Sequence, residues 1–83
     1  MPPMRLTAGA ERDLRAVPRS QLPRVLAALD RLRESPALGK RLHGEFGGRR
    51  SLRVGSYRIL YRYSEGITTV TRIRRRDDVY RQP

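Results

Sequence analysis

What the chain lacks narrows its chemistry before any motif is considered. It has no cysteine and one histidine, His43. Disulfides, thiol nucleophiles and thiol redox chemistry are therefore excluded. One histidine, no thiolate and scattered carboxylates do not make a usual transition-metal ligand set. Asp77 and Asp78 are adjacent, but three arginines precede them and compete for the carboxylates. No metal and no cofactor are expected. No glycine-rich phosphate loop and no histidine–serine pairing is present, which removes ATP use and triad hydrolysis. Apolar runs are only a few residues long, and the opening MPPMRLTAGAERD lacks the apolar core of a signal peptide. A cytoplasmic protein with no membrane association is the expectation.

What is present is positive charge. The chain has 83 residues, 19 Lys+Arg against 8 Asp+Glu, a formal net charge of +11 and a pI near 11.6. That length accommodates one domain, residues 1–83, with a small core and a thin stability margin. The charge calls for a polyanionic partner. Lys40 is the sole lysine, so nearly all of the charge is guanidinium. A planar guanidinium binds a phosphate through two parallel hydrogen bonds, which an ammonium cannot do.

In chain order, Met4 to Thr7 reads as a short edge strand. Thr7 is placed to N-cap a helix reaching about Ala16, with Glu11 and Asp13 near its positive end and Pro18 closing it. A second helix is predicted over Ser20 to Glu34. Leu22, Val25, Leu26, Leu29 and Leu32 form its apolar stripe, and Pro23 lies in its first turn. Ser35-Pro36 ends it, and Ala37 to Gly48 reads as a loop that includes Lys40, His43 and Phe46, the last as a core plug.

Ser51 to Tyr80 is the stretch around which the chain is organised. Its strands are Ser51–Val54, Tyr57–Tyr63 and Ile67–Arg74, with turn-prone breaks at Val54-Gly55-Ser56 and Ser64-Glu65-Gly66. Alternation puts Leu52 and Val54 on one face, and sends Arg58 and Arg62 away from Ile59. Strict alternation would separate Val70 from Ile73, and a bulge near Thr71 would reunite them on the core face. The order β-α-α-β-β-β predicts an α+β domain, a helical hairpin packed on a small, mainly antiparallel sheet.

Arginines recur through this stretch at 53, 58, 62, 72, 74, 75 and 76, with tyrosines at 57, 61, 63 and 80. Several guanidiniums around one phosphodiester can position it and neutralise charge growing on its non-bridging oxygens. RNA carries its own nucleophile, the 2′-hydroxyl, so a metal-free protein can cleave it if a tyrosine, a histidine or a basic group handles the protons. Tyrosine and arginine can also stack on a base. The same residues equally describe an electrostatic binding face that cuts nothing.

LRVGSYRILYR and RIRRRDDVY, preceded by LRESPALGKRLHGEFGG and by the early AERDLRAVP, resemble the RelE/ParE superfamily of bacterial toxins from type II toxin–antitoxin systems. The likeness covers almost the whole chain. It implies the same fold, a cognate acidic antitoxin, and, in the RelE branch, metal-free cleavage of mRNA on the ribosome by 2′-hydroxyl attack. Carried over by position, the catalytic residues are Arg58, Arg76 and Tyr80, with Arg74 and Arg75 as alternative positions for the second arginine. Arg49, Arg53, Arg62, Arg74, Arg75 and His43 are the substrate-binding candidates. Arg75 stands where many relatives carry a histidine in the terminal basic motif, and a longer C-terminal helix of some relatives is missing. The ParE branch shares the fold but inhibits DNA gyrase by binding; Arg58, Arg76 and Tyr80 together favour the RelE branch. A simple nucleic-acid-binding module is the third alternative.

Overall fold

The computed structural model describes residues 3–42 and 48–75, and these build two helices against one five-stranded sheet. Strand β1 is Met4–Leu6, helix α1 Ala8–Arg15 and helix α2 Leu22–Glu34. A single 3-10 turn, Pro36–Leu38, leads into the two-residue strand β2, Lys40–Arg41. Strands β3 (Arg50–Val54), β4 (Tyr57–Ser64) and β5 (Ile67–Arg75) follow. The sheet order is β1-β5-β4-β3-β2. Only the β1–β5 pair is parallel; the others are antiparallel. The α+β fold expected from the sequence is the fold observed.

Local chemistry accounts for the boundaries. Thr7 caps α1 by accepting from the Ala10 N–H at 3.1 Å, and its hydroxyl donates to the Thr71 carbonyl at 3.0 Å. One side chain thus starts the helix and ties it to β5, which is worth about 1 kcal/mol for the cap alone. The β4–β5 hairpin turns through Glu65 (φ 52) and Gly66 (φ 78), both left-handed, as a two-residue turn matched to the twist of its strands requires.

The core joins the helices to one face of the sheet. Ala10, Val17, Val25, Ala28, Leu29 and Leu32 meet Ile59, Tyr61, Val70 and Ile73. The expected bulge is there. Leu60 pairs with Arg72 while Tyr61 pairs with Val70, so Thr71 is the extra residue, and Val70 and Ile73 both face the core.

Some expectations are corrected. Helix α2 starts at Leu22 rather than Ser20, with Gln21 as its N-cap residue. Leu26 is 44% exposed, because the buried arc centres on Val25, Ala28, Leu29 and Leu32 and Leu26 lies at its margin. The presumed loop from Ala37 holds the 3-10 turn and β2, which pairs Lys40 with Ser51. Asp13 does not serve the start of α1. Its Oδ2 accepts from the Ile73 N–H and from Arg72 Nε, both at 2.9 Å, closing the part of the β5 edge that lies beyond β1.

Candidate nucleic-acid interface

The arginines divide into those spent on the fold and those presented by it. Arg72 is paired with Asp13. Arg50 donates to the Gly39 carbonyl at 2.8 Å and to that of Ala37 at 3.4 Å. Arg33 pairs with Asp30 along α2. The face of the sheet opposite the helices carries Arg5, Arg53, Arg58, Arg62 and Arg74. Arg53 is directly opposite Arg58, and Arg58 directly opposite Arg74, so the three lie abreast on β3, β4 and β5. Neighbouring strands are about 4.8 Å apart, so the row is about 10 Å wide at the backbone.

Like charges directly opposite each other destabilise a sheet. Among the described residues, Arg53 and Arg74 engage no ion pair. Arg58 is half-buried and reaches Ser51 Oγ from Nη1 at 3.4 Å. The floor beneath is closed to water: Leu60, next to Arg58 on the same face, is 3% exposed, and Ser51 2%. A phosphate resting on such a floor meets guanidiniums whose attraction is screened less than at an open surface.

A second row on the same face lies further along the strands. Arg62 pairs with Thr69, and Thr69 with Arg5 on β1. Together with Glu65 they line an open cleft of about 480 Å³.

The turn that carries β2 is held by a tyrosine. Tyr61, fully buried, donates from its hydroxyl to the Pro36 carbonyl at 2.7 Å and accepts from the Gly39 N–H at 2.7 Å. Burial pushes this phenol above its ordinary value of 10.0, with the Gly39 N–H and the Arg50 charge opposing the rise. Tyr61 is therefore a structural hub and is not offered to a ligand.

Of the residues singled out from the sequence, Arg53, Arg58 and Arg74 are brought together, and Arg62 shares their face. Arg75 is not with them: it pairs with Tyr57, a residue packed on the core, so it lies on the helix side. Arg49 precedes β3, its carbonyl accepting from the Leu42 N–H at 2.9 Å. His43, Phe46, Arg76, Asp77, Asp78 and Tyr80 lie outside the described residues. Thr69 was not foreseen, and Arg5, which the sequence suggested lies away from this face, is on it. The signal for Arg5 was its place between Met4 and Leu6, both packed against the core, which forces it outward.

Residues 4–80 match a family model described as the ParE toxin of type II toxin–antitoxin systems. The chain is 41% identical over 87 residues to Toxin RelG of Mycobacterium tuberculosis, covering 95% of each. It is similar to a chain of the RelBE2 toxin–antitoxin complex of the same organism, with a TM-score of 0.73 and 35% identity over 92% of this chain and 100% of that one. The isolated RelE toxin of E. coli shares the fold, with a TM-score of 0.78 at 17% identity over 99% of this chain and 94% of that one. The protein belongs to the RelE/ParE superfamily of type II toxin–antitoxin toxins.

Proposed function

We propose that this toxin is a ribosome-dependent endoribonuclease that halts translation in the cytoplasm by cutting mRNA, and that a cognate acidic antitoxin restrains it by covering the arginine face. The observation that carries this reading is the Arg53–Arg58–Arg74 row. Three guanidiniums in register on neighbouring strands, over a floor closed to water, can meet one phosphate with several two-point hydrogen bonds.

In the proposed reaction the 2′-oxygen attacks the adjacent phosphorus, forming the 2′-O–P bond as the P–O5′ bond breaks. A base takes the 2′-hydroxyl proton and an acid supplies one to the leaving 5′-oxygen. The products are a 2′,3′-cyclic phosphate and a 5′-hydroxyl. Arg58 and Arg74 hold the phosphate from two neighbouring strands and stabilise charge on its non-bridging oxygens, while Arg53 anchors the strand. The sequence resemblance assigns Arg76 and Tyr80 to the same chemistry, with Tyr80 as a proton-transfer group. The chemistry needs no metal, since the arginines neutralise the phosphate.

The test is single-turnover cleavage of mRNA on saturating ribosomes. Loss of one preorganised donor costs about a hundredfold or more, so Arg58→Ala and Arg74→Ala are each expected to fall by that factor while remaining folded. A wild-type rate for folded Arg58→Ala overturns the mechanism. Gyrase inhibition by binding is the second reading, favoured by the family model's own description. Blocked supercoiling with intact messages would establish it.

A further inference from the structure

We propose that Arg5, Arg62 and Thr69 form a second phosphate subsite, which takes another backbone phosphate of the RNA strand whose scissile phosphate lies at the Arg53–Arg58–Arg74 row. The inference rests on the ribonuclease reading above and assigns that face a second point of attachment. The residues come from β1, β4 and β5, and strand register alone brings them side by side. Arg5 and Arg62 are both exposed, and neither is engaged by an ion pair or side-chain hydrogen bond among the described residues. Thr69, between them, offers a hydroxyl that donates to a phosphate oxygen. The shape is a cleft of about 480 Å³, large enough for a phosphate and its sugar.

Spacing argues for one strand across both rows. Arg58 and Arg62 are four residues apart on β4, about 13 Å at the usual rise, with Leu60 closing the floor between them. Side chains stand roughly perpendicular to a sheet, so a single phosphate does not serve both rows, and separate phosphates of one chain do. Glu65 also lines the cleft. Its carboxylate repels phosphate and bounds the subsite on the hairpin side. An acidic peptide fits less well, because carboxylates need no hydroxyl donor at Thr69 and follow no fixed phosphate repeat.

The experiment measures binding of 2′-O-methyl RNA, which cannot be cleaved, by fluorescence anisotropy. A dinucleotide and a hexanucleotide are titrated into the wild type and into Arg5→Ala, Arg62→Ala and Arg31→Ala, the last a charge-matched control on α2. Arg5→Ala and Arg62→Ala are each expected to weaken the hexanucleotide about tenfold. Each should lower its salt slope by about 0.7, while the dinucleotide changes no more than in the control. Glu65→Gln is expected to tighten the hexanucleotide. Hexanucleotide affinities for Arg5→Ala and Arg62→Ala equal to that of Arg31→Ala overturn the subsite. So does loss of binding to an acidic peptide with RNA binding intact, which assigns the cleft to protein. Failure of the wild type to cut mRNA on ribosomes is a separate outcome. It removes the ribonuclease reading, while a selective loss of hexanucleotide binding still supports the subsite as an RNA contact.

Discussion

Tyr61→Phe removes one oxygen from the protein and leaves two backbone groups without their partner. The hydroxyl donates to the Pro36 carbonyl and accepts from the Gly39 N–H, each at 2.7 Å, at a fully buried side chain. The Pro36 carbonyl is part-exposed and can recover water, so its share is about 1 kcal/mol, that of an ordinary hydrogen bond. Gly39 is buried, and a stranded N–H there costs about 1–3 kcal/mol. The expected total is about 2–4 kcal/mol, which lowers the melting temperature of a domain this small by roughly 10 to 25 °C. Urea unfolding followed by circular dichroism measures it directly. A loss below about 0.5 kcal/mol would refute the assignment, since it would mean water replaces the hydroxyl without penalty.

The same residue makes a prediction about alkali. The folded-state value of Tyr61 is raised above that of the unfolded chain, chiefly by burial. A raised value means that the folded protein holds this proton more tightly. The stabilisation is therefore complete below the ordinary value of 10.0 and is lost as pH climbs from there through the folded value. Wild type should become less stable in that window, and Tyr61→Phe should show a shallower decline.

Gly39→Ala places a methyl carbon 2.5 Å from the Tyr61 hydroxyl and 2.7 Å from its ring, and the ring is locked in the core. Overpacking of this kind typically costs about 1–3 kcal/mol, and thermal melting should register it. Asp13→Ala strands the Ile73 N–H and releases Arg72, so a loss of about 1–3 kcal/mol is expected, with faster hydrogen exchange at Ile73. Arg74→Ala should abolish most mRNA cleavage, while Arg75→Ala, on the opposite face, should cut within a fewfold of wild type. Equal losses for the two would contradict the register argument. Glu65→Asn relieves a left-handed glutamate in the β4–β5 turn and should raise stability by about 0.5–1 kcal/mol in urea unfolding.

How much was legible from the sequence depended on whether a signal was local. Thr7 as a cap, Pro18 as a stop and the alternation through Tyr57–Tyr63 involve near neighbours, and each is present in the fold. The bulge at Thr71 was legible because two apolar residues at the wrong spacing, Val70 and Ile73, admit few solutions. The pairing of β1 with β5 joins residues 64 positions apart, such as Arg5 and Thr69. Nothing in a three-residue strand announces a partner at that distance. Strand β2 is two exposed basic residues, so it has no alternation to detect. Asp13 looked like a helix-dipole residue because its real partners, Arg72 and Ile73, are contributed by the far end of the chain.

The choice among consecutive arginines shows what a fold adds to a motif. In the run from Arg72 to Arg76, composition treats every position alike. Parity does not. Ile73 faces the core, so Arg74 must face away from it and Arg75 must turn back toward the helices. Arg72 sits at the bulge, and Asp13 holds it at the edge of β5. One guanidinium of the run thus braces the sheet, one joins Arg58 and Arg53 on the open face, and one stands on the helix side at the strand's end. The arginine face is therefore selected by a pleat with a period of two and a single bulge, and a one-residue insertion in β5 between Ile73 and Arg74 would exchange the faces of Arg74 and Arg75.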